Sequence, residues 1–132
     1  MEALIEMTVK IGLSLILGAM VGVEREMGKK PAGLRTHMLV SMGACLFTIV
    51  SMTSFGTDTA RIAAGIVTGI GFIGAGSIIG SKERVRGITT AATLWITGAI
   101  GLAVGAGTYF PAIIAAVFVL IVLELGRIEW RR

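Results

Sequence analysis

The sequence predicts an all-α membrane protein: a polytopic bundle of five transmembrane helices, with the N-terminus outside and the C-terminus inside. Three observations carry this prediction. Residues 62–80 contain no charge and six glycines. At about 1.5 Å per residue a helix of that length covers roughly 28 Å, close to the ~30 Å hydrocarbon core of a bilayer. The whole chain is 55% hydrophobic with a mean hydropathy of +0.89 and only 15% charged residues, well below the roughly 25% of soluble domains. Finally, ten of its twelve basic residues fall in alternate loops and the tail.

The spans are expected at about 8–23, 36–54, 61–80, 88–106 and 111–126, a single membrane domain over residues 1–132 with short loops and no soluble insert. The first is preceded by Glu2 and Glu6, not by a basic stretch, so it reads as a retained span and not as a cleaved leader. Glu6 and Lys10 are placed for a helical pair. Pro31 and Gly33 break the chain before the second span. That span carries Cys45, the lone cysteine, which reads as a small buried filler.

In the third span Gly65, Gly69, Gly76 and Gly80 share one stripe, with Gly71 and Gly74 roughly opposite. Six glycines in a helix are expected only where close helix contact compensates their cost, so this helix is placed at the centre of the bundle. Gly69-x-Gly71-x-x-Gly74 also fits the dinucleotide fingerprint, but without the strand before it or the acid after it the pattern carries no nucleotide site. In the fourth span Thr90, Thr93, Thr97, Gly101 and Gly105 line one side, and Gly98 widens that small-residue surface. Glu124, in the fifth span, has Arg127 one turn on and reads as snorkelling to the interface.

The basic residues fix the orientation. Arg25, Lys29, Lys30 and Arg35 lie in the 24–37 loop, Lys82, Arg84 and Arg86 in the 81–87 loop, and Arg127, Arg131 and Arg132 in the tail. The alternate segments hold only Lys10 and Arg61. The positive-inside rule then places the N-terminus out and the C-terminus in. The net charge of +4 reports loops facing an anionic leaflet rather than nucleic acid.

Three groups of residues are candidates for function. Glu24, Arg25, Arg35, Thr36 and His37 sit around the first inner loop, as an ion- or anion-binding cluster, a docking surface, or interfacial anchors with a Glu–Arg pair. A lone histidine without neighbouring cysteines is a poor metal site. Asp58 stands at the N-cap position of the third span with Arg61 three residues on, either a cation entry or a cap plus a local pair. The threonines of the fourth span either line a solute path or pack against the glycine-rich third span. No nucleophile, base and orienting group occur together, so no enzyme is expected.

The order of motifs resembles the MgtC/SapB family of bacterial and archaeal membrane proteins. The resemblance runs through Gly22-x-Glu24-Arg25-Glu26, Pro31-Ala32-Gly33-Leu34-Arg35-Thr36-His37 and Gly43-Ala44. It continues through Asp58-x-x-Arg61-Ile62-Ala63-Ala64, Gly69-Ile70-Gly71-Phe72-Ile73-Gly74-Ala75-Gly76 and Val85-x-Gly87-Ile88-Thr89-Thr90-Ala91-Ala92-x-Leu94-Trp95, about residues 10 to 110. It implies a five-span, multi-pass protein of the plasma (inner) membrane, associated with magnesium limitation. Many members carry a soluble cytoplasmic domain after the last span; this chain is expected to be the short form without it. Members commonly have a polar residue where Gly65 stands here.

Two functions are carried forward. One is a non-enzymatic accessory or regulatory protein that acts through membrane partners in adaptation to low magnesium. The other is a small channel or transporter for a cation such as Mg2+. No cofactor is expected, with Mg2+ or another cation as the ligand to test. The expected partners are the lipid bilayer, further copies of the chain and other membrane proteins, without nucleic acid.

Overall fold

The computed structural model describes residues 1–80 and 85–129. Five helices run α1 Glu2–Met27, α2 Leu34–Ser54, α3 Thr59–Gly76, α4 Ile88–Gly105 and α5 Tyr109–Glu129. All five are long and apolar enough to cross a membrane. Consecutive spans alternate in direction. The α1–α2 loop, the α3–α4 connection and the end of α5 therefore share one end of the bundle, here the basic end, and the Asp58 turn marks the other.

The centre of the bundle is α4, not α3. It touches each of the other four helices, and nine of its 18 residues are buried against three of 18 in α3. Its glycines make this possible. A Cβ at Gly98 would collide with the Ile70 side chain of α3, and one at Gly101 with the Ser41 carbonyl of α2. One at Gly105 would lie 2.7 Å from the Cys45 carbonyl. The α1–α2 seam works in the same way: a Cβ at Gly18 would lie 2.7 Å from the His37 carbonyl, and one at Gly22 2.8 Å from Leu34 Cα. A core of Leu17, Cys45, Ile49, Ile100, Val104, Ala112 and Ala116 fills the bundle between these seams.

The expected central position of α3 is overturned. Only Ile66, Ile70 and Gly74 are buried in it. A Cβ added at Gly65, Gly69, Gly71 or Gly76 meets nothing within 4 Å, whereas at Gly74 it comes within 3.2 Å of the Ala91 carbonyl. Glycine permits close approach but supplies no apolar surface to drive it. The isoleucines Ile66 and Ile70 therefore decide which face of α3 turns inward.

Helix α3 also ends four residues short of its expected limit. The Ser77 Oγ donates to the Gly74 carbonyl at 2.7 Å, a local bond that competes with helix continuation. Gly80 then belongs to β1 (Ile79–Gly80), which pairs antiparallel with β2 (Val85–Arg86). The chain re-enters helix at Gly87, whose φ of +91° and contact with the Ser77 carbonyl leave no room for a side chain. Residues Lys82, Arg84, Arg131 and Arg132 lie outside the described residues, as does the side chain of Arg127.

Candidate functional site

The last turn of α1 reads Glu24-Arg25-Glu26, and the three side chains diverge. Glu26 reaches over the loop, where its Oε2 accepts the Leu34 N–H at 2.9 Å and so caps α2. A Cβ at Gly33, the N-cap residue of α2, would meet that carboxylate and displace it. Arg25 turns inward and is only 4% exposed. Its Nη2 donates to Thr90 Oγ1 on α4 at 3.1 Å, and its Nη1 lies 3.4 Å from Glu24 Oε2.

One turn into α2, His37 is fully buried. Its Nδ1 lies 2.8 Å from the Gly33 carbonyl and its Nε2 3.1 Å from Thr93 Oγ1. A carbonyl can only accept, so Nδ1 carries a proton. The Thr93 hydroxyl has a single proton and two acceptors in reach, His37 Nε2 and, at 2.8 Å, the Thr90 carbonyl. Another turn deeper, Ser41 on α2 and Thr97 on α4 are buried. Their hydroxyls, like Arg25 Nε, have no hydrogen-bond partner among the described residues.

The structure thus joins two groups that are separate in sequence. Glu24, Arg25 and His37 from the first inner loop meet Thr90 and Thr93 of the fourth span in one buried polar layer at the α1–α2–α4 junction, with Thr97 below. Arg35 is exposed and Thr36 half-buried, and neither joins the layer. Asp58 and Arg61 lie at the opposite end, exposed and paired at 3.3 Å. Asp58 occupies the N-cap position of α3, but its carboxylate faces Arg61 and makes no cap bond. Glu6 and Lys10 pair at 2.7 Å. The Glu124–Arg127 contact lies outside the described residues. Sequence reasoning missed Ser41; its position one helical turn after His37 is the signal that could have found it.

Among the described residues, no three His, Cys, Asp or Glu side chains gather as a metal-binding group. The layer itself offers a guanidinium, an imidazole, hydroxyls and one carboxylate already beside the guanidinium. Mg2+ takes octahedral oxygen ligands, carboxylates and waters among them, and this donor set does not fit it.

Residues 11–129 match the MgtC family. The chain belongs to that family. Over 132 aligned residues it is 46% identical to "Putative magnesium transporter YhiD" of Escherichia coli K12, an alignment covering 90% of this chain and 61% of that protein. It is 46% identical to "Protein MgtC" of Salmonella typhimurium over 107 residues, 81% of this chain and 46% of the relative. A Haemophilus influenzae protein is 38% identical, over 92% of this chain and 56% of its own length. The chain therefore spans about half to six-tenths of these relatives. No solved structure matches it.

Proposed function

We propose that the protein is a non-enzymatic accessory component of the bacterial inner membrane that serves adaptation to low magnesium through membrane partners and conducts no ion itself. The observation that carries this reading is the closure of the polar layer. Arg25, His37, Thr90 and Thr93 are buried at the basic end with Ser41 and Thr97 below them, and of the buried hydroxyls further along, Ser14 and Thr48 donate to carbonyls of their own helices. Beyond Thr97, Gly101 and Gly105 bring α4 onto the α2 backbone, and Ile100 and Val104 are buried. A conducting path needs a polar lining along its length, and a cation crossing here would have to pass the Arg25 guanidinium. The layer acts instead as a polar lock that fixes the register of α1, α2 and α4. The basic end faces the cytoplasm on this reading, as the distribution of Lys and Arg supports.

The name of the Escherichia coli relative supports the transport alternative. Both readings are separated by Mg2+ flux into liposomes containing the purified protein and a magnesium-sensitive dye. The expected result is flux equal to that of protein-free liposomes. Flux well above this background, lost on Thr93→Val or Thr97→Val, would establish the transporter reading.

A further inference from the structure

Helices α2 and α3 are joined by a short turn but splay apart, leaving a slot open to the side of about 590 Å³. It is lined by apolar residues and glycines, among them Leu39, Gly43, Phe47, Gly65, Gly69 and Ile73. A second cavity, of about 450 Å³, follows it toward the Asp58 end, bounded by Thr48, Ser51, Thr59 and Ala63 with Leu102 and Ala106 of α4 behind. Ser51 is 2% exposed, and its Oγ has no hydrogen-bond partner among the described residues.

Dimensions choose the occupant. The slot runs along α3 from Ile62 to Ile73, about 16 Å at 1.5 Å per residue, and half of a ~30 Å hydrocarbon core is about 15 Å. The slot is open to the side along that length and its lining is apolar throughout, which suits an acyl chain of the surrounding bilayer. Ser51 lies three residues from the end of α2, about 4.5 Å below it. This is the depth at which a lipid's acyl chains join its headgroup. Its buried hydroxyl is a donor in need of an acceptor.

We propose that the α2–α3 slot is a lipid site. It holds one acyl chain of a membrane phospholipid, and the ester carbonyl of that chain accepts a hydrogen bond from Ser51 Oγ. Gly65 and Gly69 are glycines because a side chain there would fill the place of the acyl chain, not because a protein helix sits on them.

The test is native mass spectrometry of the full-length protein in mild detergent, titrated with palmitoyl-oleoyl phosphatidylethanolamine. Gly65→Phe fills the slot. Gly71→Phe adds the same ring to an open part of α3 outside the slot and serves as the control for folding. The wild type and Gly71→Phe should carry bound lipid, and Gly65→Phe should lose it. Ser51→Ala should weaken retention about fivefold, the worth of one net hydrogen bond. Lyso-phosphatidylethanolamine, with one chain, should bind; glycerol 3-phosphate, with none, should not. Equal lipid retention by the wild type and Gly65→Phe would overturn the proposal. So would a Gly65→Phe protein that keeps its lipid but changes its monomer–dimer ratio, which would make the slot a contact between copies of the chain.

Discussion

A buried arginine is costly unless its donors are satisfied, and Arg25 meets part of that demand through Glu24 and Thr90 on two helices. Thr90 is the partner on α4, so removing its hydroxyl strips a hydrogen bond from a buried charge. Thr90→Val keeps the shape and should destabilise the protein by about 1.5–3 kcal/mol, the range for bonds to charged groups. Arg35→Ala, at an exposed position outside the layer, should stay within about 0.5 kcal/mol. Thermal unfolding in detergent compares the two. The His37 ring makes a second, separate statement. Because Gly33 offers it only a carbonyl, the ring carries a proton on Nδ1, while Nε2 lies 3.1 Å from the Thr93 hydroxyl, whose own proton is in reach of the Thr90 carbonyl. Nitrogen-15 shifts of selectively labelled histidine should show Nδ1 protonated; a bare Nδ1 would break the described contact of the ring with the Gly33 carbonyl.

Helices of this bundle meet where small residues let backbones approach, and each such contact predicts the sign of a substitution. At Gly101 an added methyl collides with the Ser41 carbonyl, which is backbone and cannot swing aside. Gly101→Ala should therefore cost about 1–3 kcal/mol, the range for overpacking. At Gly71 an added methyl meets nothing within 4 Å. Gly71→Ala should be neutral or stabilising by up to about 1 kcal/mol, because alanine is the better helix former. Unfolding of both variants beside the wild type reads the two signs at once. The same contrast reverses the reading of the α3 stripe. Gly69 and Gly76 were expected at a folding interface, but within one chain they face open space, so bulky residues there should leave the bundle intact.

For the molecule as a whole, five spans and the basic asymmetry lead to one topology. A reporter inserted near Thr57 should be external, and one fused after Arg132 should be cytoplasmic. Finding both on one side would deny the odd number of spans, and the reverse pattern would deny the orientation. The two ends differ in construction as well as in charge. The basic end holds a buried layer linking three helices, with Glu26 capping α2 across the loop. The Asp58 end holds an exposed ion pair and the second cavity, lined by Ser51 and Thr59. A protein that binds within the membrane and is locked at one end is consistent with an accessory role.

The number of long apolar helices and the membership of the family were legible in the sequence. Apolar length and basic loops are properties of single segments, set by the bilayer and not by neighbours. Thr90, Thr93 and Thr97 could likewise be seen as a stripe, and Glu24, Arg25 and His37 as a cluster. That the two sets form one layer could not be seen, because contacts such as Arg25–Thr90 and His37–Thr93 join residues more than fifty positions apart. The place of α3 was misjudged for a related reason. A glycine stripe marks where a helix can be approached, and only the packing of Ile66, Ile70 and Gly98 decides which face is taken. The end of α3 was decided by a turn, in which Ser77 and Gly87 draw the chain out of helix before Gly80. Sequence alone determined what must be buried in a membrane, since that follows from composition along the chain. Tertiary structure decided which polar groups are buried together, since that depends on the register of helices that only packing sets.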